Sequence, residues 1–205
     1  MPATPKRSTP PRSTGGRREK IVASAAVLFS RRGYPATGID EIGEAAGITG
    51  PGVYRHFDNK NGVLSEVVQR AVDKVVAGVA EVVDAGATDW DVLEGLVRNM
   101  ITSVLDDRTG WSVVVREQRH LDPISQRGLA RAHRLHIEEW VHALSSARPD
   151  LTDAEVRVIV HGVIGLAAPF AVRYDAGLER GRTEELLQAA AMAVLRETVP
   201  VRPAG

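Results

Sequence analysis

The sequence has no cysteine and only 4% aromatic residues. The missing thiol excludes disulfides, thiolate metal ligands and a cysteine nucleophile, and it is typical of proteins from a reducing compartment. We find no uninterrupted apolar run of about 18 residues, so the sequence predicts neither a transmembrane helix nor a secretory signal. We therefore expect a globular, cytoplasmic protein with no membrane partner.

The net charge is also zero, with 26 basic and 26 acidic residues, but the charges are unevenly distributed. Through Gly62 there are 10 Lys and Arg against 5 Asp and Glu; the remainder of the chain holds 16 against 21. A basic front on an acidic body predicts an anionic partner for the N-terminal part alone.

Residues 1–16 are rich in Pro, Ser, Thr and Arg and show no apolar periodicity, which predicts a disordered basic arm. Two interpretations of this arm stay open. It is a solvated tail, as chain termini commonly are, or it reaches a phosphate backbone or minor groove.

After the arm, apolar residues recur at helical spacing. A first helix carries Ile21, Ala25 and Phe29 on one face and ends at Gly33, and a short second helix is stopped by Gly47. The remaining predicted helices span Thr49 to about Phe57, Asn59 to about Val83, and then roughly 89–106, 111–121, 125–147, 153–175 and 183–197. No segment shows sustained strand alternation, so the predicted fold class is all-α.

Thr152 and Glu155 form a capping-box pattern at the start of the penultimate helix.

The third predicted helix has an unusual first turn, Gly50 to Gly52, behind the N-cap candidate Thr49. Val53 and Phe57 are predicted to face inward, which leaves the small first-turn residues outward with Tyr54 and Arg55 one turn later. A helix that enters the major groove with its N-terminus needs this lack of bulk. The alternative is that the glycines serve only the course of the chain.

Lys60 is predicted in the first turn of the fourth helix, where its charge opposes the helix dipole. That position is slightly unfavourable for folding and suited to a phosphate. Thr37, Tyr54 and His56 supply further hydrogen-bonding groups of the kind used for backbone positioning.

Residues 17–68 contain FSRRGY at the end of the first helix, AAGIT at a turn, and VYRHFDNK after it. In this order the segments resemble the DNA-binding domain of TetR-type transcriptional regulators. The resemblance implies a helix-turn-helix at about 38–57 in a domain spanning 17–68, followed by a helical ligand-binding and dimerisation domain over 69–205. It also implies phosphate contacts by Thr37, Tyr54, His56 and Lys60, and a groove-facing set of Thr49, Gly50, Pro51, Gly52 and Arg55. This chain departs from the common pattern in having glycine at 38, 50 and 52, which leaves Arg55 and Thr49 as the candidates for base readout.

The segments 156–172 and 186–195 are apolar around most of their circumference. Such helices are buried on more than one side, either in the centre of one subunit or between two subunits. The resemblance implies the second arrangement, a homodimer through a four-helix bundle that matches a pseudo-palindromic operator. The predicted interface residues are Val163, Gly165, Phe170, Leu187, Ala190 and Val194.

His133 and His136 lie three residues apart, but no carboxylate-rich open site accompanies them, so we predict no metal and no cofactor. Candidate residues of a ligand pocket are Trp111, Arg116, Glu117, His120 and Trp140. The alternatives are a surface ion-pair face for Arg116 and Glu117 and core positions for the tryptophans.

The sequence contains no nucleophile elbow, phosphate loop or paired-carboxylate signature, which argues against an enzyme. The favoured function is a ligand-responsive DNA-binding regulator, a repressor released from its operator by a small apolar or acyl-type effector. The alternative is a helical metal- or His-dependent hydrolase with an incidental basic front.

Overall fold

A computed structural model describes residues 14–172 and 177–197, and the regular structure of these residues is helical. The helices are α1 Thr14–Arg32, α2 Ile39–Ala45, α3 Gly50–Val53, α4 Lys60–Ala85, α5 Asp89–Asp106, α6 Arg108–Glu117, α7 Pro123–Ala147, α8 Asp153–Gly165, α9 Ala168–Val172 and α10 Arg180–Arg196, with a short 3₁₀ turn at Gln118–His120. The predicted all-α class is confirmed.

The predicted start of the first helix is three residues late, since α1 begins at Thr14. The rest of the predicted arm, residues 1–13, lies outside the described residues. Gly33 and Gly47 follow α1 and α2 with φ of 83° and 71°, in the left-handed region that favours glycine, which confirms both helix ends.

Two predicted helices differ from the structure. The third stops at Val53, whose carbonyl oxygen accepts bonds from the amides of His56 and Phe57 in the turn that follows. The predicted helix at 153–175 is interrupted after Gly165 and resumes as α9, and its residues 173–175 lie outside the described ranges.

The segment Asp153–Val172 is long and apolar enough to cross a membrane by length and composition alone, with a mean hydropathy of 1.6, which the sequence reasoning did not anticipate. The segment is interrupted between α8 and α9, and 28% of its apolar window is buried, including Val156, Val160 and Val163 in the second core. The capping box of Thr152 and Glu155 at its start is confirmed.

The buried side chains form two hydrophobic cores that share α4. The N-terminal core joins α1, α2, α3 and the first half of α4 to Val113 and Val114 of α6. The second core starts at Val75 of α4 and extends through α5, α7, α8, α9 and α10. The predicted boundary at residue 68 therefore falls inside a continuous helix, with no linker at that point.

Candidate nucleic-acid interface and ligand cavity

The solvent-facing surface of α3 is small. Val53 and Phe57 are buried in the N-terminal core, as predicted, while Thr49, Pro51 and Arg55 are exposed and the Tyr54 side chain is 56% exposed. Thr49 occupies the N-cap position, but its hydroxyl makes no capping hydrogen bond. The surface therefore presents a hydroxyl, a proline ring, a phenol and a guanidinium.

Gly50 is not part of this surface, and its predicted groove-facing position is wrong. It is buried beneath α2, and an added Cβ atom would collide with the Asp40 carboxylate. A Cβ on Gly43, in α2, would lie 2.9 Å from the carbonyl carbon of Thr49. The two glycines thus allow α2 and α3 to pack closely, with Gly43 against the backbone at Thr49 and Gly50 against the side chain of Asp40. Gly52 is half-buried, with the Thr49 hydroxyl oxygen 3.4 Å from the place of a Cβ.

Thr37 is buried, which contradicts its predicted exposure to a phosphate. Only 1% of its surface is accessible, and its Oγ1 donates to the carbonyl oxygen of Gly33 at 2.9 Å. The hydroxyl therefore stabilises the turn between α1 and α2.

Lys60 lies in the first turn of α4 behind the Asn59 cap, as predicted, but its ammonium has internal partners. Its Nζ donates to the carbonyl oxygens of Tyr34 and Thr37, both at 2.9 Å, and lies 4.3 Å from the centroid of the Tyr34 ring. The side chain thus fastens the α1–α2 turn to α4. A phosphate contact by Lys60 stays a prediction.

The half-buried His56 lies where α3 meets α1. Its carbonyl oxygen accepts from Arg18 at 3.1 Å, and the same guanidinium lies 4.3 Å from the Phe57 ring and pairs with Glu66. Contact of the His56 imidazole with DNA stays a prediction.

The start of α2 is capped in spite of its glycine at position 38. The Glu41 carboxylate accepts from the Gly38 amide at 2.8 Å and from Arg32 at 2.6 Å. The backbone hydrogen bond from Gly38, and after it the charge and hydrogen bond of Arg32, hold the pKa of Glu41 below its usual range. Glu41 thus supplies the N3 half of a capping box, while Gly38 has no side chain to accept from the first-turn amides of α2.

The end of α6 and the 3₁₀ turn after it contact the α1–α2 turn. Glu117 is buried, and its carboxylate accepts from the backbone amide of Tyr34 at 3.2 Å. The His120 ring stacks on the Tyr34 ring with centroids 5.4 Å apart, and Asn61 of α4 donates to the His120 carbonyl oxygen. We call Tyr34, Asn61, Glu117 and His120 the junction, since they join the end of α6 and the following 3₁₀ turn to the α1–α2 turn and the start of α4.

An apolar cavity of about 820 Å³ lies beside the junction, between α4, α5, α6, α7 and the α8–α9 connection. Its lining is Val72, Val75, Val76, Met100, Val104, Trp111, Val114, Val115, Gln118, Arg119, Gln126, Leu129, Ala130, Ala132, His133, His136, Ile164, Ala167, Ala168 and Ala171. This size lies within the usual range of small-molecule sites.

Of the five predicted pocket residues, Trp111 lines this cavity. Glu117 and His120 belong to the junction instead, and the exposed Arg116 donates to the Ser30 carbonyl oxygen at 3.4 Å. Trp140 is fully buried in the second core, as the core alternative expected. Sequence reasoning missed most of the lining because valines and alanines that face a cavity have the same periodicity as those that fill a core.

His136 is the polar group set deepest in the lining. Its Nε2 accepts from the Trp140 indole at 3.2 Å, while its Nδ1 is buried with no hydrogen-bond partner among the residues that the structure describes. Burial, and to a smaller extent the nearby His133, lower the pKa of His136 to about 4. Within the described residues, no cluster of three or more His, Cys, Asp or Glu side chains is arranged to hold a metal ion.

The predicted interface residues divide between two sides of α8 and α10. Val163 and Leu187 are buried in the chain's own core, so their predicted intersubunit position is wrong. Phe170 is half-buried against the same core. Gly165, Ala190 and Val194 are exposed.

The exposed side of α8 and α10 is rich in apolar and small residues. On α8 it carries Val158, 73% exposed, followed by Gly162 and Gly165 one and two turns later. On α10 it carries Leu186, Ala189, Ala190, Ala193 and Val194. The spacing places each set on one helix face.

Comparison with known proteins identifies the N-terminal domain. Residues 21–67 match the family model of bacterial regulatory proteins of the tetR family. The transcriptional repressor KstR2 of Rhodococcus jostii is 31% identical over 106 residues, which cover 52% of each chain. The transcriptional activator FasR of Mycolicibacterium smegmatis is 30% identical over 107 residues, 52% of this chain and 49% of that protein. The chain thus spans about half the length of the curated relatives it matches.

Solved structures share the fold over a longer range. The ketosteroid regulator KstR2 of Mycobacterium tuberculosis superposes with a TM-score of 0.77 at 22% identity, over 89% of this chain and 95% of that one. A TetR-family regulator from Bordetella parapertussis gives a TM-score of 0.79 at 21% identity, over 91% and 98%. Residues 21–67 thus match the tetR family of bacterial regulatory proteins, and the chain as a whole shares the fold of these solved structures.

Proposed function

We propose that this protein is a homodimeric, ligand-responsive transcriptional regulator that acts in the cytoplasm, and that it represses until a small molecule releases it from DNA. The observation that carries the proposal is the exposed surface formed by Pro51 of α3 and by Tyr54 and Arg55 of the turn after it, within a segment that matches the tetR family model. The names of its relatives include a repressor and an activator, so repression is the part that most needs a test. The metal-dependent form of the hydrolase alternative lacks a metal-holding cluster of His, Cys, Asp or Glu among the described residues.

DNA binding is tested by selecting duplexes from a random library and measuring their affinity as salt is raised. Arg55→Ala is expected to cost about 1–3 kcal/mol on the selected duplex and to relax discrimination at one base pair. Arg127→Ala is the matched control, because Arg127 is an exposed arginine on α7, outside the surface around α3. Equal losses for the two variants, or equal affinity for selected and scrambled duplexes, would reject readout by α3.

The dimer proposal rests on the exposed apolar side of α8 and α10. Two-fold symmetry would place two copies of this side together as a four-helix bundle and present two α3 helices to a two-fold symmetric site. Val158→Glu and Gly165→Glu are expected to give monomers or aggregates in sedimentation. The control is Glu184→Gln, because Glu184 is a half-buried residue of α10 that does not belong to this set. A Val158→Glu variant that stays a soluble dimer would place the interface elsewhere.

Ligand response requires the cavity to communicate with α3. We propose two routes for this communication, through α4 and through α6. Val72 and Val75 of α4 line the cavity that α6 also lines, and α6 ends in the Glu117 contact to the Tyr34 amide. A ligand that displaces α6 would loosen the junction, and with it the turn that leads into α2.

The thermodynamic test is reciprocal. A ligand that weakens DNA binding must itself bind more weakly to the DNA complex by the same factor, commonly about 1–3 kcal/mol. Equal ligand affinity with and without duplex would remove the regulatory claim and leave DNA binding intact.

A further inference from the structure

The cavity lining carries an unusual set of polar groups for so apolar a site. Five of its members are Gln118, Arg119, Gln126, His133 and His136, and no Asp or Glu is among the described lining residues. A cavity with one guanidinium and no carboxylate favours an anionic ligand group over a cationic one.

Arg119 is the one guanidinium among the described lining residues, and we call the exposed lining around it the open end of the cavity. Arg119 is exposed, and it forms no ion pair with a described carboxylate; its Nε donates to the His120 ring at 3.3 Å. Gln126, near the start of α7, donates to the Arg119 carbonyl oxygen at 3.3 Å, which places Arg119 beside the N-terminal end of that helix.

His136 marks the other end. The indole of Trp140 can only donate, so the Nε2 that accepts from it carries no proton. The neutral ring then has its proton on Nδ1, and this buried N–H lacks a partner among the described residues. An unpaired buried donor is unfavourable, and a ligand oxygen would relieve that cost.

The two ends are separated along α7. From Gln126 to His136 the helix rises by about 15 Å at the usual rise per residue. Between them the lining is mainly apolar, with Met100, Val104 and Ala167 among its buried members, and the exposed His133 lies on α7 one turn before His136. The wall therefore suits an apolar body that is polar only at its two ends.

We infer that the cavity binds an apolar carboxylic acid with a hydrogen-bond acceptor at its far end, the carboxylate at Arg119 and the acceptor at the Nδ1–H of His136. This inference rests on the proposed ligand response and names the chemical class of its effector. Flexible ω-oxygenated acyl chains and rigid ring acids share this chemistry.

Calorimetry on the full chain tests the far end. With the wild type, ω-hydroxydodecanoate is expected to bind at least as tightly as dodecanoate, because its hydroxyl pairs with His136. With His136→Leu it is expected to bind about ten-fold more weakly than dodecanoate, because a buried hydroxyl then has no partner. Where His136→Leu alone fails to fold, the pair His136→Leu with Trp140→Phe removes both hydrogen-bonding partners together. The same ratio of affinities in wild type and variant would overturn the assignment of His136.

Dodecanol, which lacks the charge, tests the open end. Arg119→Gln is expected to weaken dodecanoate about five-fold and to leave dodecanol unchanged, as for a solvent-accessible ion pair. Arg127→Gln, on the exposed surface of α7 outside the lining, should change neither affinity. Equal binding of dodecanoate and dodecanol by the wild type would overturn the carboxylate assignment.

Lithocholate, a rigid acid with a hydroxyl at its far end, separates the two sources. Tighter binding of lithocholate supports the inference for ring acids, and tighter binding of ω-hydroxydodecanoate supports it for acyl chains. No binding of either overturns it.

A parallel DNA-release assay keeps the two proposals apart. Binding that depends on Arg119 and His136 without release of duplex would reject the regulatory proposal and support the ligand class. Release of duplex by an uncharged molecule, with no binding of the acids, would support the regulatory proposal and reject the ligand class.

Discussion

Lys60 provides the sharpest separation of a structural from a DNA-contacting role. Replacing it with Met keeps the aliphatic stem but removes the ammonium that donates to the carbonyl oxygens of Tyr34 and Thr37, both at 2.9 Å. Hydrogen bonds from a charged donor contribute about 1.5–3 kcal/mol each, and half-burial reduces that value. The lost contact with the Tyr34 ring adds about 0.5–1 kcal/mol.

We therefore expect Lys60→Met to destabilise the protein by about 2–4 kcal/mol, which for a chain of this size lowers the melting temperature by roughly 4–16 °C. DNA affinity should fall for all sequences, since α2 loses its fixed position relative to α4. The dependence of affinity on salt should stay unchanged, because no phosphate contact is lost.

The assay is thermal unfolding combined with a salt titration of duplex binding. Lys20→Met is the control, since Lys20 is exposed on α1 and has no hydrogen bond or ion pair with the described residues. A Lys60→Met variant that melts like the wild type, with a salt slope lowered by about 0.9, would show that the ammonium serves a phosphate and would refute the structural assignment.

Three further variants test other parts of the structure. Gly43→Val should destabilise the N-terminal domain by about 1–3 kcal/mol in chemical unfolding, because its Cβ would crowd the Thr49 backbone. The control is Gly62→Ala, which should be neutral or stabilising because a Cβ there meets atoms no nearer than 3.9 Å. Equal effects of the two substitutions would contradict the close contact between α2 and α3. Glu117→Gln should keep ligand affinity but reduce its coupling to DNA, measured as ligand affinity with and without duplex; unchanged coupling would remove Glu117 from the connection. Stability should fall as pH drops from 6.5 to about 4, because unfolded His136 gains a proton over this range while the folded residue stays neutral. His136→Gln should remove about 2–3 kcal/mol of that pH dependence in urea unfolding at pH 7 and 4.5, and identical profiles would contradict the neutral buried ring.

Local patterns predicted the helices well because their signals lie within a few residues. Asn59 caps α4, Thr152 and Glu155 form their box, and Gly33 ends α1, each through contacts within four positions along the chain.

The positions that the sequence did not predict depend on contacts between distant segments. Gly50 appears bare from its own helix, but its covering group is Asp40 on α2. Val163 and Gly165 are two residues apart in one apolar segment, yet one is buried in the core and the other is exposed. Which side of α8 meets its own core depends on α7 and α10, and single-helix periodicity carries no such information.

The shared helix α4 has a consequence for how this protein can vary. Because one unbroken helix from Lys60 to Ala85 enters both cores, each residue inserted within it would rotate one core against the other by about 100° and lengthen their separation by about 1.5 Å. Insertions of one or two residues would therefore break the contacts of the junction. Insertions of three or four residues would bring the two cores back near their original relative rotation. A C-terminal domain could therefore be joined to a different N-terminal domain only at a point in α4 that preserves this rotation. This requirement restricts where two such proteins can recombine.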